Sequence, residues 1–192
     1  MKRAAGVGER AVRVGADLFA KKSYAATTTR ELAKALGVTN GTFYHYFPNK
    51  EDLLLAICLE SLESIIASGE AAIAGVSGEE ERVRALIAGH VAAMLRDQNL
   101  HRTMLIELRS LSRPNVNRVL ELRDSYSDGV RAVLEAAQES GYLRADIDGR
   151  MLTLMLLNLL NWTIFWFKGN GPNSSSDVAA IVATTFLDGT RA

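Results

Sequence analysis

A chain of 192 residues, 48% hydrophobic and 23% charged, is long enough to bury a core and too apolar for a disordered tail. Its single cysteine, Cys58, excludes an internal disulfide, and no secretory signal is read, so the expected location is cytoplasmic. The formal net charge of zero is unevenly spread: residues 1–50 hold nine Lys/Arg against three Asp/Glu, or +6, so the other 142 residues carry −6. A basic head and an acidic body suit docking on a polyanion, with the body kept off it.

The first amphipathic pattern, about 7–22, puts Ala11, Val14, Gly15 and Leu18 on one face with Phe19 adjoining; Lys2 and Arg3 ahead of it form a basic tip that suits phosphate or minor-groove contact as well as plain solvation. Thr28 with Glu31 three residues on is a capping box, so a second helix begins just after Thr28. Leu32, Ala33 and Leu36 form its apolar stripe, and Gly37 ends it in the left-handed conformation that favours glycine. A third helix restarts near Thr39 or Asn40, with Val38, Phe43 and Phe47 turned inward. Its outward residues, Thr39, Asn40, Thr42, Tyr44, His45 and Tyr46, offer hydroxyls, phenols and an amide to phosphate oxygens and base edges. Pro48 closes that helix and Asn49 caps the next, placing Lys50 in a first turn whose N–H groups suit a phosphate.

Two short helices joined by a tight turn, the second with a polar edge, make a helix-turn-helix. The segment resembles the N-terminal domain of the TetR (AcrR) family of transcriptional repressors. The residues that carry the resemblance are Thr28 to Glu31, Leu32-Ala33, Gly37-Val38, Gly41-Thr42, Phe43-Tyr44, Tyr46-Phe47 and Asn49 to Leu54, within a match over roughly 7–60. The resemblance implies a homodimer, and it puts Thr28, Thr29, Thr39, Thr42, Tyr44, His45 and Lys50 where the family touches DNA. Thr39 stands where Ser or Ala is more usual and Asn40 follows it, so no base preference carries over. Asn40 joins the candidate DNA-binding residues on its own chemistry, because an Asn reads adenine bidentately.

The remaining pattern is helical throughout, and the fold class expected is all-α with about nine helices. The predicted domains are a helix-turn-helix DNA-binding domain, 1–50, and a helical ligand-binding and dimerisation domain, 51–192. A long helix over about 50–74 leaves the head and is its natural lever. Cys58 lies on that helix's apolar face beside Leu54 and Ile57, which reads as core packing. A break at 75–78 follows, with Ser77 and Glu80 placed to cap a helix of about 79–96. Further helices are predicted over about 101–111, 115–140, 148–168 and 177–189.

Residues 151–167 are apolar all round. A membrane span needs about 20 predominantly apolar residues, and this run is interrupted by Thr153, Asn158, Asn161 and Thr163. A helix buried on every side is the better account, and in a body this small the burial calls for a second subunit. The family resemblance implies the same, because its last two helices pair across the dimer; Leu156, Leu159, Trp166, Ile181 and Phe186 are the candidate interface residues. Trp162 and Trp166, four apart, serve either that bundle or a ligand cavity.

Met94, Met104, Leu105, Leu108, Tyr126, Trp162 and Phe165 are candidate cavity residues, and Met in particular suits an irregular pocket. His101, Arg109 and Arg113 are candidates to receive a carboxylate or phosphates at its mouth. Asn161-Trp162-Thr163, Trp166 and the Gly/Pro break after them resemble the tail of TetR-family regulators of fatty-acid and steroid breakdown, several of which respond to coenzyme A thioesters. The expected function is a homodimeric repressor released from a palindromic double-stranded operator by a small hydrophobic or acyl-CoA-type effector. A dimer with a neutral drug-like effector, or none, is the alternative. No cofactor, metal or membrane partner is expected, and no enzyme: the histidines lack metal-ligand spacing, and no nucleophile elbow or phosphate-binding glycine loop is present.

Overall fold

The computed structural model describes residues 2–192, with side chains from Gly6 onward, so the basic tip of Lys2 and Arg3 lies outside the side chains described. The elements are α1 (Lys2–Lys22), α2 (Thr29–Leu36), α3 (Asn40–Tyr46), α4 (Lys50–Ile73), α5 (Glu79–Arg96), α6 (Gln98–Glu107), a 3-10 turn (Leu108–Ser110), α7 (Arg113–Glu139), α8 (Gly149–Trp166) and α9 (Ser175–Thr190). Among the described residues there is no strand, only an isolated bridge between Leu143 and Arg191, and the all-α expectation with nine helices holds. No helix among these residues is long and apolar enough to cross a membrane.

The chain forms two compact units that are not contiguous in sequence. The first takes residues 1–62 and 98–122; the second takes 63–97 and 123–192. Both α4 and α7 contribute to each unit. The helix-turn-helix therefore shares its unit with α6 and the start of α7, an association that a boundary drawn along the chain does not express. Counted by unit, the first holds thirteen Lys/Arg against eight Asp/Glu, or +5, and the second nine against fourteen, or −5.

In the first unit, α1 buries Ala11, Val12, Ala16 and Phe19 against Leu32, Ala33, Phe43, Leu53, Leu54 and Ile57. The buried face is rotated from the expected one, leaving Val14 and Leu18 only half-buried. Gly15 is where α1 meets α4: a Cβ there would lie 2.9 Å from Leu53 Cδ2 and 3.2 Å from Ile57 Cδ1. Cys58 is buried in this core, and burial pushes its thiol up to about 12, so it stays protonated and unreactive at neutral pH. Ser61 and His101 are both buried and share a 2.8 Å hydrogen bond.

The second unit packs α5, α8 and α9 around Val83, Leu86, Ile87, Val91, Leu152, Leu156, Leu160, Val182, Phe186 and Leu187. Gly89 allows close approach of α4, since a Cβ there would meet Ser68 O at 2.6 Å. Ser77 does not cap α5. The N-cap is Gly78, at φ +103 and without a side-chain hydrogen bond, so the three glutamates Glu79, Glu80 and Glu81 are left to complement the helix dipole. The C-terminus is held by Arg144 N donating to Thr190 O at 2.9 Å and Ala192 N donating to Tyr142 O at 3.2 Å.

Candidate nucleic-acid interface

The helix-turn-helix is built by local rules that the sequence carries openly. The Thr28 hydroxyl accepts from Glu31 N at 3.2 Å, and the Glu31 carboxylate accepts from Thr28 N at 2.9 Å, closing the capping box. Glu31 also takes the Lys22 ammonium. That partner first, then the Thr28 hydrogen bonds, holds its carboxyl down at about 2. Gly37 ends α2 at φ 68, and Val38 N donates back to Ala33 O at 3.0 Å, the Schellman closure that left-handed geometry allows. Arg10 donates to Leu36 O at 2.8 Å and so fastens α1 to the same turn.

Thr39 is the N-cap of α3. Its hydroxyl accepts from Thr42 N at 3.1 Å and pairs with the Thr42 hydroxyl at 3.0 Å. Phe43 is buried and stacks near Phe47 at 6.0 Å between centroids, which fixes the roll of this seven-residue helix. Rolled that way, α3 exposes Thr39, Asn40, Tyr44 and His45, with Thr42 half-buried. Tyr44 is 46% exposed, and its hydroxyl lies 3.0 Å from that of Thr29 on α2. The two helices thus join their polar edges through one hydroxyl pair.

Lys50 is placed differently from its neighbours. Its ammonium donates to Tyr24 O at 2.8 Å and Thr27 O at 2.9 Å, and sits 4.2 Å from the Tyr24 ring centroid. Burial pulls its pKa below the usual lysine value, against the pull of the Glu107 charge. One of the three ammonium donors remains for an outside partner. The sequence showed that Lys50 stands in the first turn of α4 but not that its charge turns inward, because the carbonyls that draw it lie 23 and 26 residues away.

The loop that Lys50 holds is held from a second side. Glu107, at the end of α6, accepts from Tyr24 N at 3.0 Å. At the start of α4, Asn49 Oδ1 accepts from Asp52 N at 2.9 Å, the expected cap. Glu51 Oε1 there accepts from Ser112 N at 2.8 Å and from Asn115 Nδ2 at 2.6 Å, at the start of α7. Hydrogen bonds from the Ser112 side chain, the Ser112 backbone and Asn115, in that order, keep the Glu51 carboxyl below its ordinary range. Sequence reasoning missed Glu51 and Glu107 as braces, since a carboxylate on a helix is commonplace until its partner is in place.

The candidate effector residues separate. Leu105, Leu108 and Arg109 line one groove of 580 Å³ in the first unit, together with Ile106, Val116 and Leu120, three apolar residues absent from the expected set. Met104 is buried in that unit's core and His101 is taken up with Ser61. Arg113 is exposed at the start of α7 and is not among the groove's lining. In the second unit Met94 is buried, Tyr126 bonds His90 Nδ1 at 2.8 Å, and Trp162 stacks on Phe165 at 4.7 Å.

The candidate dimer residues separate too. Leu156 and Phe186 are buried within their own protomer, whereas Leu159, Trp166 and Ile181 stand outside it. The exposed ones belong to a larger set: Met151, Met155, Leu159, Trp162 and Trp166 are all exposed, at helical spacings of four, four, three and four along α8. Trp162 is 64% and Trp166 50% exposed.

Comparison with known proteins converges on one family. Residues 11–57 match the description "Bacterial regulatory proteins, tetR family", and residues 77–190 match "Tetracyclin repressor-like, C-terminal domain". The solved structure of PfmR, a TetR family transcriptional regulator from Thermus thermophilus, is 33% identical with a TM-score of 0.87, covering 93% of this chain and 97% of that one. The fatty acid metabolism regulator protein of Bacillus subtilis strain 168 is 26% identical over 148 residues, 77% of this chain and 76% of its own. The HTH-type transcriptional repressor KstR2 of Rhodococcus jostii strain RHA1 is 25% identical over 177 residues, 92% of this chain and 87% of its own. With matched segments at both ends and a capped, polar-edged recognition helix between them, the chain belongs to the TetR family and is a DNA-binding transcriptional regulator, not an enzyme.

Proposed function

We propose that the protein acts in the cytoplasm as a homodimeric repressor on a near-palindromic operator, and that a hydrophobic acyl-CoA-type effector releases it. The observation that carries the reading is the roll of α3, fixed by buried Phe43, which leaves Thr39, Asn40, Tyr44 and His45 in solvent. Asn40 and His45 are the base-reading candidates. Thr28, Thr29, Thr39, Thr42 and Tyr44 bind phosphates, and Lys50 adds its remaining donor while bracing the loop. The apolar outer stripe of α8, with Ile181 of α9, covers itself on a second copy; two heads on a two-fold axis then require paired half-sites.

The groove lined by Leu105, Ile106, Leu108, Val116 and Leu120, with one cation, Arg109, matches an acyl chain ending in an anionic carrier. The similarity to a fatty acid metabolism regulator supports that class. Release requires only that the effector prefer a head arrangement the operator does not. The test selects an operator from random duplexes, then titrates long-chain acyl-CoA, free fatty acid and free coenzyme A against the complex in a mobility-shift assay. Release by the thioester, lost on Arg109→Ala, is expected; release by none of the three sinks the effector assignment, and selection of no duplex sinks the repressor.

A further inference from the structure

We propose that Glu107 is the relay between the effector groove and the DNA-binding head: an occupant of the groove draws its carboxylate off the Tyr24 amide and frees the loop that leads into α2. The inference rests on the effector reading above and gives it a route. Leu105, Ile106, Leu108 and Arg109 line the groove. At about 3.6 residues per turn they share one side of the end of α6, and Glu107 falls on the opposite side. Glu107 is only 8% exposed; its Oε1 accepts from Tyr24 N at 3.0 Å and its Oε2 from Ser110 Oγ at 3.1 Å. Tyr24 is thereby gripped at its amide from α6 and at its carbonyl from α4, where Lys50 donates at 2.8 Å.

The end of α6 is the part of that helix built to move. Its earlier turns are bolted to α1, by Asn99 Nδ2 donating to Asp17 Oδ1 at 2.8 Å and Thr103 Oγ1 to Ala16 O at 3.1 Å. At Glu107 itself, with φ −98 and ψ 0, the α-helix gives way to a 3-10 turn, a change of winding typical of hinges. Ile106 lines the groove and also, with Glu107, Phe19 and Ser23, a cavity of 110 Å³ that leaves this turn room to shift. The loop beyond is poised to yield, because Ser23 holds a left-handed φ of 76 without being glycine. It runs to Thr28, the N-cap of α2, and to Thr29, whose hydroxyl meets that of Tyr44. Loosening Tyr24 therefore loosens the edge that meets DNA.

The experiment uses the full-length dimer, the selected operator and palmitoyl-CoA. Amide exchange is followed by NMR in wild type at Tyr24 and at Val38, whose N–H bonds Ala33 O in the same head. The thioester is expected to speed exchange at Tyr24 by about tenfold and to leave Val38 unchanged. Operator affinity is then measured with and without palmitoyl-CoA for wild type, Glu107→Ala, Glu107→Gln and Asn99→Ala. Wild type should lose about 30-fold on its addition. Glu107→Ala should start about tenfold weaker and lose less than about threefold more, while binding the thioester more tightly than wild type in the absence of DNA, as reciprocity requires. Glu107→Gln keeps an oxygen for Tyr24 N and should keep most of the response; Asn99→Ala, which cuts a different tie between α6 and α1, should keep all of it. An undiminished response in Glu107→Ala overturns the relay, as does operator release with Tyr24 exchange unchanged. Palmitoyl-CoA that leaves wild-type operator affinity untouched fails the effector reading itself, and the relay falls with it.

Discussion

The outer faces of α3 and α8 are both what remains after a helix has buried its inner side, yet they are opposite in chemistry. On α3 the exposed side chains include Thr39, Asn40, Tyr44 and His45; on α8 a stripe of Met151, Met155, Leu159, Trp162 and Trp166 is exposed, beside Leu154 and the polar Arg150 and Asn158. A polar edge costs nothing in water and gains only when donors and acceptors find a matching surface. A stripe with two tryptophans and two methionines is unfavourable in water whatever else happens, and a contiguous apolar surface of this kind marks an interaction site. One face waits for a partner, and the other demands one.

Breaking the α8 face has the largest expected effect. Trp166→Glu places a charge in the middle of the proposed seam and should weaken dimerisation by more than about 30-fold, the scale of an interface hot spot above 2 kcal/mol. Sedimentation velocity over a dilution series reads this, and an unchanged dimer would move the seam off α8. Operator affinity should fall with it, because one head alone binds half a site.

The α3 face should be separable from that. Tyr44→Ala is expected to cost about tenfold in operator affinity, or about 1.4 kcal/mol, and to leave the dimer intact. The salt slope should become shallower if the phenol and its Thr29 partner hold a phosphate. Loss of dimer in this variant would contradict the independence of the two faces.

Lys50 sharpens the comparison because it belongs to the polar head yet points inward. Lys50→Ala removes two charge-assisted hydrogen bonds and the contact with the Tyr24 ring, and should lower stability by about 1.5–3 kcal/mol. Thermal unfolding checks it. A variant as stable as wild type would mean that the ammonium is free in solution and available to DNA.

The smallest effect is a pH dependence in the capping box. Glu31 has a folded pKa of about 2 against an ordinary 4.5, so its stabilisation of α2 is complete above about 4.5 and is lost as pH falls toward about 2. Glu31→Gln should be slightly less stable than wild type at neutral pH, with the difference vanishing at the acid end. A gap between the two proteins that stays constant across that range would exclude the linkage.

How much was legible varied with the distance over which an interaction acts. The caps at Thr28, Thr39 and Asn49, the left-handed turn at Gly37 and the inward Phe43 were all read from residues at most six apart, where helix geometry decides who meets whom. The failure at Ser77 is instructive for the same reason: the Ser-x-x-Glu pattern was present, but glycine at 78 took the cap position one residue later. The candidate sites were less legible. Which side chains line the groove around Arg109 depends on how α6 meets α7: Ile106, Val116 and Leu120 line it, whereas Met94 and His101 are buried elsewhere. On α8 the sequence showed apolar residues on all sides, and only packing told the inner row of Leu152, Leu156 and Leu160 from the outer stripe.

By itself the sequence determined the all-α class, the helix-turn-helix with its polar edge, and a basic head against an acidic remainder, because these follow from local propensity, capping and composition. Only tertiary structure decided that Lys50 faces inward, that Glu51 and Glu107 tie the head to α7 and α6, and that 98–122 shares a unit with residues 1–62. Those contacts join residues 23 to 83 positions apart, and periodicity along a chain holds no record of which distant carbonyl a lysine will find.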